Sequence, residues 1–418
     1  MRETDMPVRV GGPTGADDIL DEVVKVDLAD PKLYAGDRPE RIWRTMRAAG
    51  KPIRLTGMRD HWAVTRYRQI REVFRHSQKL SSRQGMRLGE KPTDIEASKA
   101  AGGMSMIVAD DPAHAQMRRA LESSLSPKAL RRLADSIQAL ATRLVSDALA
   151  QPSVDFVDTV ATPLLTAASC DLLGIPASDR PRIGELTQMA FSGSGYATAA
   201  AQVTGHVQLL EYCGDLLERK LRTPGDDLAT ALAHAQVNGT AFSREAAIMN
   251  CHDFVIGANA SARYILTSVP MTMITQRPFW EQLRGGDADL DIAAEELLRY
   301  ETPINHVMRT VLDDLEVGGV VMRRGEFVTL WLRSGNRDGD VFEEPERMRL
   351  MRRRHAQLSF GHGPHYCIAA HLGRLEVSSL VRALAERVQE VELTGEPRRI
   401  ESNLLRGYRS IPMTLRPR

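Results

Sequence analysis

"SFGHGPHYCIA", residues 359–369, gathers two glycines, a proline, two histidines and a cysteine into eleven positions. Gly361 and Gly363 allow backbone angles that other residues avoid, and Pro364 stiffens the chain between them and His365, so a tight turn can form just ahead of Cys367. Downstream, Val377, Leu380, Val381, Leu384 and Val388 recur at helical spacing, which predicts an amphipathic helix beginning at once after the loop. Cys367 then sits at a helix N-terminus, where free N–H groups and about half a unit of positive charge favour thiolate over thiol. A thiolate on so rigid a turn can be a nucleophile served by His362 or His365, a redox thiol or a metal ligand. The loop alone does not choose among these.

The rest of the chain narrows the setting. Its 418 residues are 43% hydrophobic and 26% charged, enough to bury a large core. The 55 basic and 54 acidic residues nearly cancel and form no charged tail, which argues against a nucleic-acid partner. The N-terminal "MRETDMPVRVGGPTGADD" has no apolar core, and the greasiest stretch, 246–276, is broken by His252, Asp253 and Arg263, so a cytoplasmic protein without a membrane span is expected. Cys170, Cys213, Cys251 and Cys367 lie far apart, without the spacing of a zinc site.

No repeat or linker divides the chain, and helical patterns dominate residues 113–300, so one domain over 1–418 is expected, mainly α with small β-sheets. Leu130, Leu133, Ile137, Leu140 and Leu144 form one core-facing stripe. Strand-like alternation is confined to "HWAVTRY", "LEVGGVVM", "EFVTLWL" and "IPMTLRP". A long helix should start from Ser243 as N-cap and end or kink near Pro270. Within it "GANASA" is small and polar; Gly257 alone costs ~1 kcal/mol of helix propensity relative to alanine.

Four separated motifs, in order, resemble the cytochrome P-450 family, the heme-thiolate monooxygenases. "FGHGPHYCIA" is similar to the heme-binding loop F-G-x-G-x-H-x-C-x-[GA], with Ala369 in place of the usual glycine. The resemblance implies Cys367 as axial iron ligand, Phe360 beside the sulfur and His365 toward a heme propionate. "EELLRY" resembles the E-x-x-R helix; Glu296 and Arg299 share a helical face and can pair, and the family adds Arg347 in "PERM" as third member of a buried triad. "HAQMR" resembles H-x-x-x-R, putting His114 and Arg118 on a propionate, with Arg309 as a further propionate partner. The family's fold, a helical body around a buried heme with a minor β-rich region, follows as an expectation.

The fourth match is "IGANAS" in the long helix, and it departs from the family's [AG]-G-x-[DE]-T. Gly257 matches the glycine that makes room for oxygen, but Asn259 stands at the acid and Ala260 at the alcohol. Ser261 carries a hydroxyl one position on, rotated by about 100° along a helix. Asn259 cannot exchange a proton at neutral pH. Ser261 or waters could replace the pair, the substrate could bring its own polar group, or the oxidation could be an unusual one.

The resemblance places substrate contacts in the stretches 81–106, 190–200, 303–307 and 402–410, with Asn305 and His306 offering hydrogen bonds and Met86, Met104 and Leu404 apolar contact. A medium-sized or large polar natural product of secondary metabolism, such as a peptide, cyclodipeptide or polyketide in antibiotic biosynthesis, suits this mixture; hydroxylation is expected, with C–C or C–N coupling or desaturation of a peptide or cyclodipeptide as the alternative. Heme b is the implied cofactor. Without a flavin, nicotinamide or iron–sulfur fingerprint, electrons from NAD(P)H should arrive through a ferredoxin and ferredoxin reductase. "RMRLMRRRH", with Arg349, Arg352, Arg353 and Arg354, is either their electrostatic docking patch or a solvated basic face. A heme sensor that has lost oxygen activation, or a thiol hydrolase, are the readings from other classes.

Overall fold

The computed structural model describes residues 25–57, 59–89, 102–190, 198–286, 289–352 and 356–418. The helices are α1 (Arg38–Ala48), α2 (Tyr67–Arg75), α3 (Ala113–Leu121), α4 (Pro127–Leu149), α5 (Thr162–Leu173) and α6 (Arg180–Ala190). After them come α7 (Ala199–Arg222), α8 (Leu228–Ala233), α9 (Arg244–Thr275), α10 (Arg277–Arg284), α11 (Leu290–Glu301) and α12 (Ala370–Arg387). None is long and apolar enough to cross a membrane, among the described residues.

The β-structure is small, as expected. Strands β1 (Ile53–Leu55), β2 (His61–Val64), β3 (Leu80–Ser81), β5 (Val307–Val311) and β6 (Phe327–Leu330) form one sheet in the order β1-β2-β6-β5-β3. A second sheet joins β7 (Val388–Leu393), β8 (Pro412–Pro417) and β4 (Val154–Asp155). All four segments with strand-like alternation contain strands, "LEVGGVVM" as a separate hairpin of 315–317 with 320–322.

The core is helix on helix. On α4, Leu130, Leu133 and Ile137 are buried, but the stripe then drifts to Ala141 and Val145, leaving Leu140 and Leu144 partly covered. Steps of three and four cannot follow a 3.6-residue turn indefinitely, and the buried line shifts where smaller residues let α5 and α12 approach. Val377, Leu380, Val381 and Leu384 of α12 are fully buried, and Val388 already belongs to β7.

Helix α9 does not end at Pro270. Ser243 is its N-cap, the hydroxyl accepting from the Ala246 N–H at 3.1 Å, but the helix runs through Pro270 to Thr275. The proline removes a single N–H, while Val269, Thr272 and Met273 are locked into the core on either side, so packing holds the helix past the missing bond.

Candidate functional site

A cavity of about 370 Å³ opens between α9 on one side and the Cys367 loop with the start of α12 on the other. The loop is built as its glycines require: Gly361 and Gly363 have φ of +73° and +77°. A Cβ at Gly363 would stand 3.0 Å from the Phe74 carbonyl oxygen, so the close approach to α2 also needs glycine. The Cys367 N–H donates to the Phe360 carbonyl at 2.9 Å, and Arg118 donates to the Tyr366 carbonyl at 2.7 Å, fixing the turn from within and from α3. Phe360 lines the cavity and packs over Gly373, where a Cβ would lie 3.2 Å from its ring.

Cys367 lies three residues before α12, not inside its first turn. Burial pushes its thiol up, and the hydrogen bond from the Ala369 backbone only partly opposes this. The helix terminus therefore does not by itself make a thiolate here; a bound metal ion would, since coordination deprotonates a thiol outright. Neither His362 nor His365 bonds to the sulfur. His365 stacks on His114 with ring centroids 3.9 Å apart, and its Nε2 faces Ser82 Oγ at 3.4 Å. A nucleophile–base pair is thus not assembled.

Four cation-capable side chains converge on the same cavity: His114 and Arg118 from α3, Arg309 from β5, and His365. Burial, reinforced by Arg309, His114 and Arg118, pulls the His365 imidazole down to about 2, and His114 is also lowered by burial. Both rings are neutral at pH 7. Burial lowers Arg309 only to about 10, against the attraction of Asp110, so it stays charged; no carboxylate lies within ion-pair distance of it among the described residues. Uncompensated buried charge is expensive. Two unneutralised guanidiniums beside a slot walled by a cysteine fit a flat group carrying one thiolate-binding metal and two carboxylates, as heme does.

Behind this loop the ion-pair cluster is real but differently composed. Arg299 and Glu296, both fully buried on α11, pair through two parallel bonds of 2.8 Å. The remaining Arg299 donors reach the carbonyls of Asn336, Pro345 and Arg347 at 2.8, 2.9 and 3.0 Å, so every guanidinium N–H is used. Arg347 was expected to complete the triad by its side chain. Instead that side chain is 75% exposed and pairs with Glu344, and the third cation is Arg352, whose Nε sits 3.1 Å from both Glu296 oxygens. Arg352 is therefore unavailable for docking, Arg349 is paired with Glu343 and Glu344, and Arg353 and Arg354 lie outside the described residues.

Asn336, which the sequence did not single out, joins the cluster to the loop. Its carbonyl receives Arg299, its Oδ1 accepts from the Leu358 N–H at 2.7 Å, and its Nδ2 donates to Thr302 and Ser359.

Across the cavity, Asp253, Gly257 and Ser261 of α9 fall at four-residue steps on one face and line it. A Cβ at Gly257 would meet nothing within 4 Å, so the space before it is open. Ser261 Oγ donates to the Gly257 carbonyl at 3.3 Å. Asn259 is on the other side: it is buried against α5, its Nδ2 donating to Val255 O at 2.8 Å and Ser169 Oγ at 3.1 Å. The alignment that put Asn259 at the acid and Ala260 at the alcohol is thus corrected by one position. Ser261 is the alcohol on the cavity face, and the residue preceding it is Ala260.

Of the substrate candidates, Met86 and Leu404 line the cavity and three others do not. His306 is fully buried, its Nε2 accepting from the Leu88 N–H at 2.9 Å and its Nδ1 bonded to the Asn403 carbonyl. Burial pulls it down to about 3, so it is a neutral clamp between two loops. Asn305 donates to the same carbonyl, and Met104 offers its own carbonyl to Asn250. Parts of two of the expected substrate stretches, residues 90–101 and 191–197, lie outside the described residues. Asp253, Asn250 and Glu376 are polar wall residues that sequence reasoning missed; burial raises Glu376 to about 8, leaving it uncharged at pH 7. The four-residue spacing from Gly257 was a signal that could have found Asp253.

Comparison with known proteins agrees with this geometry. The family model described as Cytochrome P450 matches residues 290–403, from α11 to beyond the Cys367 loop. Linalool 8-monooxygenase of Pseudomonas putida is 30% identical over 406 residues, covering 94% of this chain and 99% of that protein. Cytochrome P450 NovI of Streptomyces niveus is 29% identical over 400 residues, 94% of this chain and 97% of the other. Among solved structures, P450 OxyD, involved in the biosynthesis of vancomycin-type antibiotics, superposes with a TM-score of 0.86 at 29% identity, over 94% of this chain and all of that one. Matched over nearly its full length by such relatives, the chain belongs to the bacterial cytochrome P450 family of heme b monooxygenases.

Proposed function

We propose that this enzyme hydroxylates a medium-sized or large natural-product-like molecule in secondary metabolism, in the bacterial cytoplasm. The observation that carries the reading is the cavity itself, which has Cys367 on one wall, the open space before Gly257 on the other, and a largely apolar lining beyond. In it Cys367 would ligate the iron of heme b, Arg118 and Arg309 would bind its two carboxylates, and His114 and His365 would pack beside them. Heme b, held there, would supply dioxygen activation with electrons from NAD(P)H passed on by redox partners. The chain's own part is to position and to gate protons. The Glu296–Arg299–Arg352 cluster, through Asn336, holds the ligand loop in place. Gly257 keeps a space clear, and Ser261 Oγ is the hydroxyl that takes a proton from water and hands it on. Phe254, Met86, Leu404 and Ile107 exclude bulk water and hold apolar parts of the substrate.

The family membership sets aside the hydrolase and sensor readings. Secondary metabolism is supported by the likeness to OxyD, and Met86, Ile107, Phe254 and Leu404 on the wall support a substrate with apolar parts. We take a ferredoxin and its reductase as the donors. Coupling or desaturation is the second reading, favoured by Ala260, which supplies no acid beside Ser261. Reconstitution with ferredoxin, reductase and a natural-product library, read by mass spectrometry, tests the assignment. Products one oxygen atom heavier support hydroxylation, products two hydrogens lighter support the second reading, and reductant consumed only to peroxide across the library overturns both.

A further inference from the structure

Asp253 is the carboxylate facing the substrate side of the cavity, and it is held from behind in an unusual way. One of its oxygens accepts from Ser105 Oγ at 2.5 Å; the other faces His252 Nδ1 at 3.4 Å. His252 Nε2 in turn lies 3.0 Å from His206 Nδ1 on α7, and the His206 ring donates to the Ala190 carbonyl at the end of α6.

The hydrogen count of this chain is constrained. The Ala190 carbonyl only accepts, so the other His206 nitrogen carries hydrogen, and each further contact needs one hydrogen between its two heavy atoms. Burial and the neighbouring His252 both lower His206. The cavity is offered a carboxylate that has spent two of roughly four acceptor sites on Ser105 and His252. The sites left over can take only a donor.

We propose that Asp253 is the polar anchor of the substrate chamber: it accepts a hydrogen bond from a hydroxyl, amide N–H or ammonium on an otherwise apolar substrate. The carbon to be oxidised lies one to two turns further along α9, roughly 6–12 Å along the axis, beside Gly257 and Ser261. This rests on the monooxygenase reading and deepens it by naming the substrate feature that sets which carbon is presented. A substrate ending in a carboxylate is disfavoured at the same point, since it brings an acceptor to sites that can take only a donor.

The test uses the heme-loaded protein and two probes matched in length, decan-1-ol and decanoate, titrated at pH 7.5 and read by the spin-state change in the heme spectrum. The wild type should bind decanol at least tenfold more tightly than decanoate. Asp253→Leu should bring that ratio to about one by weakening decanol, and the near-isosteric Asp253→Asn should bring it down by strengthening decanoate. Ser105→Ala, which keeps the carboxylate, should retain the preference. A ratio near one in the wild type, a preference for decanoate, an unchanged ratio in both Asp253 variants, or no spectral response to either probe overturns the anchor. Failure of the monooxygenase reading is distinguishable, because it would show first as a purified chain without heme.

Discussion

Replacing Asn259 by aspartate restores, on paper, the acid that the family places before its alcohol. The structure predicts that it does nothing of the kind. Asn259 Nδ2 donates to Val255 O at 2.8 Å and Ser169 Oγ at 3.1 Å in the α9–α5 contact, away from the cavity. An ionised aspartate at this position would direct an oxygen at the Val255 carbonyl and leave it unsatisfied, at a cost of about 1–3 kcal/mol. Protonated, the new side chain keeps one of the two bonds but must hold its pKa above the ordinary carboxylate value. A rise of about two units costs ~2.7 kcal/mol at pH well above the raised value. Asn259→Asp should therefore be ~2–4 kcal/mol less stable than wild type at pH 7.5. Because the folded-state pKa is the higher one, the deficit must shrink as pH falls toward the unfolded-state value near 4. Urea unfolding followed by circular dichroism at pH 7.5 and 5 measures this, and product formed per NAD(P)H oxidised should not rise. Ala260→Asp, which sets the acid directly before Ser261, should raise that yield. An Asn259→Asp protein within ~1 kcal/mol of wild type at pH 7.5, or one with clearly better coupling, would refute the placement of Asn259 on the far face.

Three further outcomes are expected. Arg299→Lys retains a charge but not the five-donor fork that holds Glu296 and the carbonyls of Asn336, Pro345 and Arg347, and should cost ~3–5 kcal/mol with loss of heme on purification; unfolding curves and heme content report it. Arg309→Met should release heme to apomyoglobin at least tenfold faster while leaving the heme-free chain no less stable, because burial of the guanidinium outweighs the opposing attraction of Asp110. His306, pulled down to about 3 from an ordinary 6.5, contributes stability that is complete above the unfolded value and is lost as pH falls through 6.5 toward 3. From this group alone the wild type should lose about 2 kcal/mol between pH 7 and pH 5, and His306→Gln should flatten that slope in urea titrations.

The features legible in the sequence were local. The turn before Cys367 is dictated by two glycines, and the Glu296–Arg299 contact by a three-residue step on one helix, so neighbours along the chain sufficed. The errors came where a distant element decides the matter. Arg347 and Arg352 lie in irregular chain with no period to say which points inward; Glu296 on α11 selects Arg352. The phase of α9 relative to the cavity depends on Ser169 of α5 receiving Asn259, which no motif in "IGANAS" records. His306 reads as a polar residue in a substrate segment, yet its partners, Leu88 and Asn403, are 218 and 97 positions away.

The junction at Asn336 has a practical consequence for redesign. The hydrogen bonds that meet at Asn336 run through residues on the ligand-loop side: Arg299, Thr302, Leu358 and Ser359. Their opposite numbers around Asp253 draw on Ser105, His252 and His206, and the two sets share no member. The substrate half can therefore be rebuilt by directed evolution for new molecules, one chamber residue at a time, while the scaffold that retains the cofactor is left untouched.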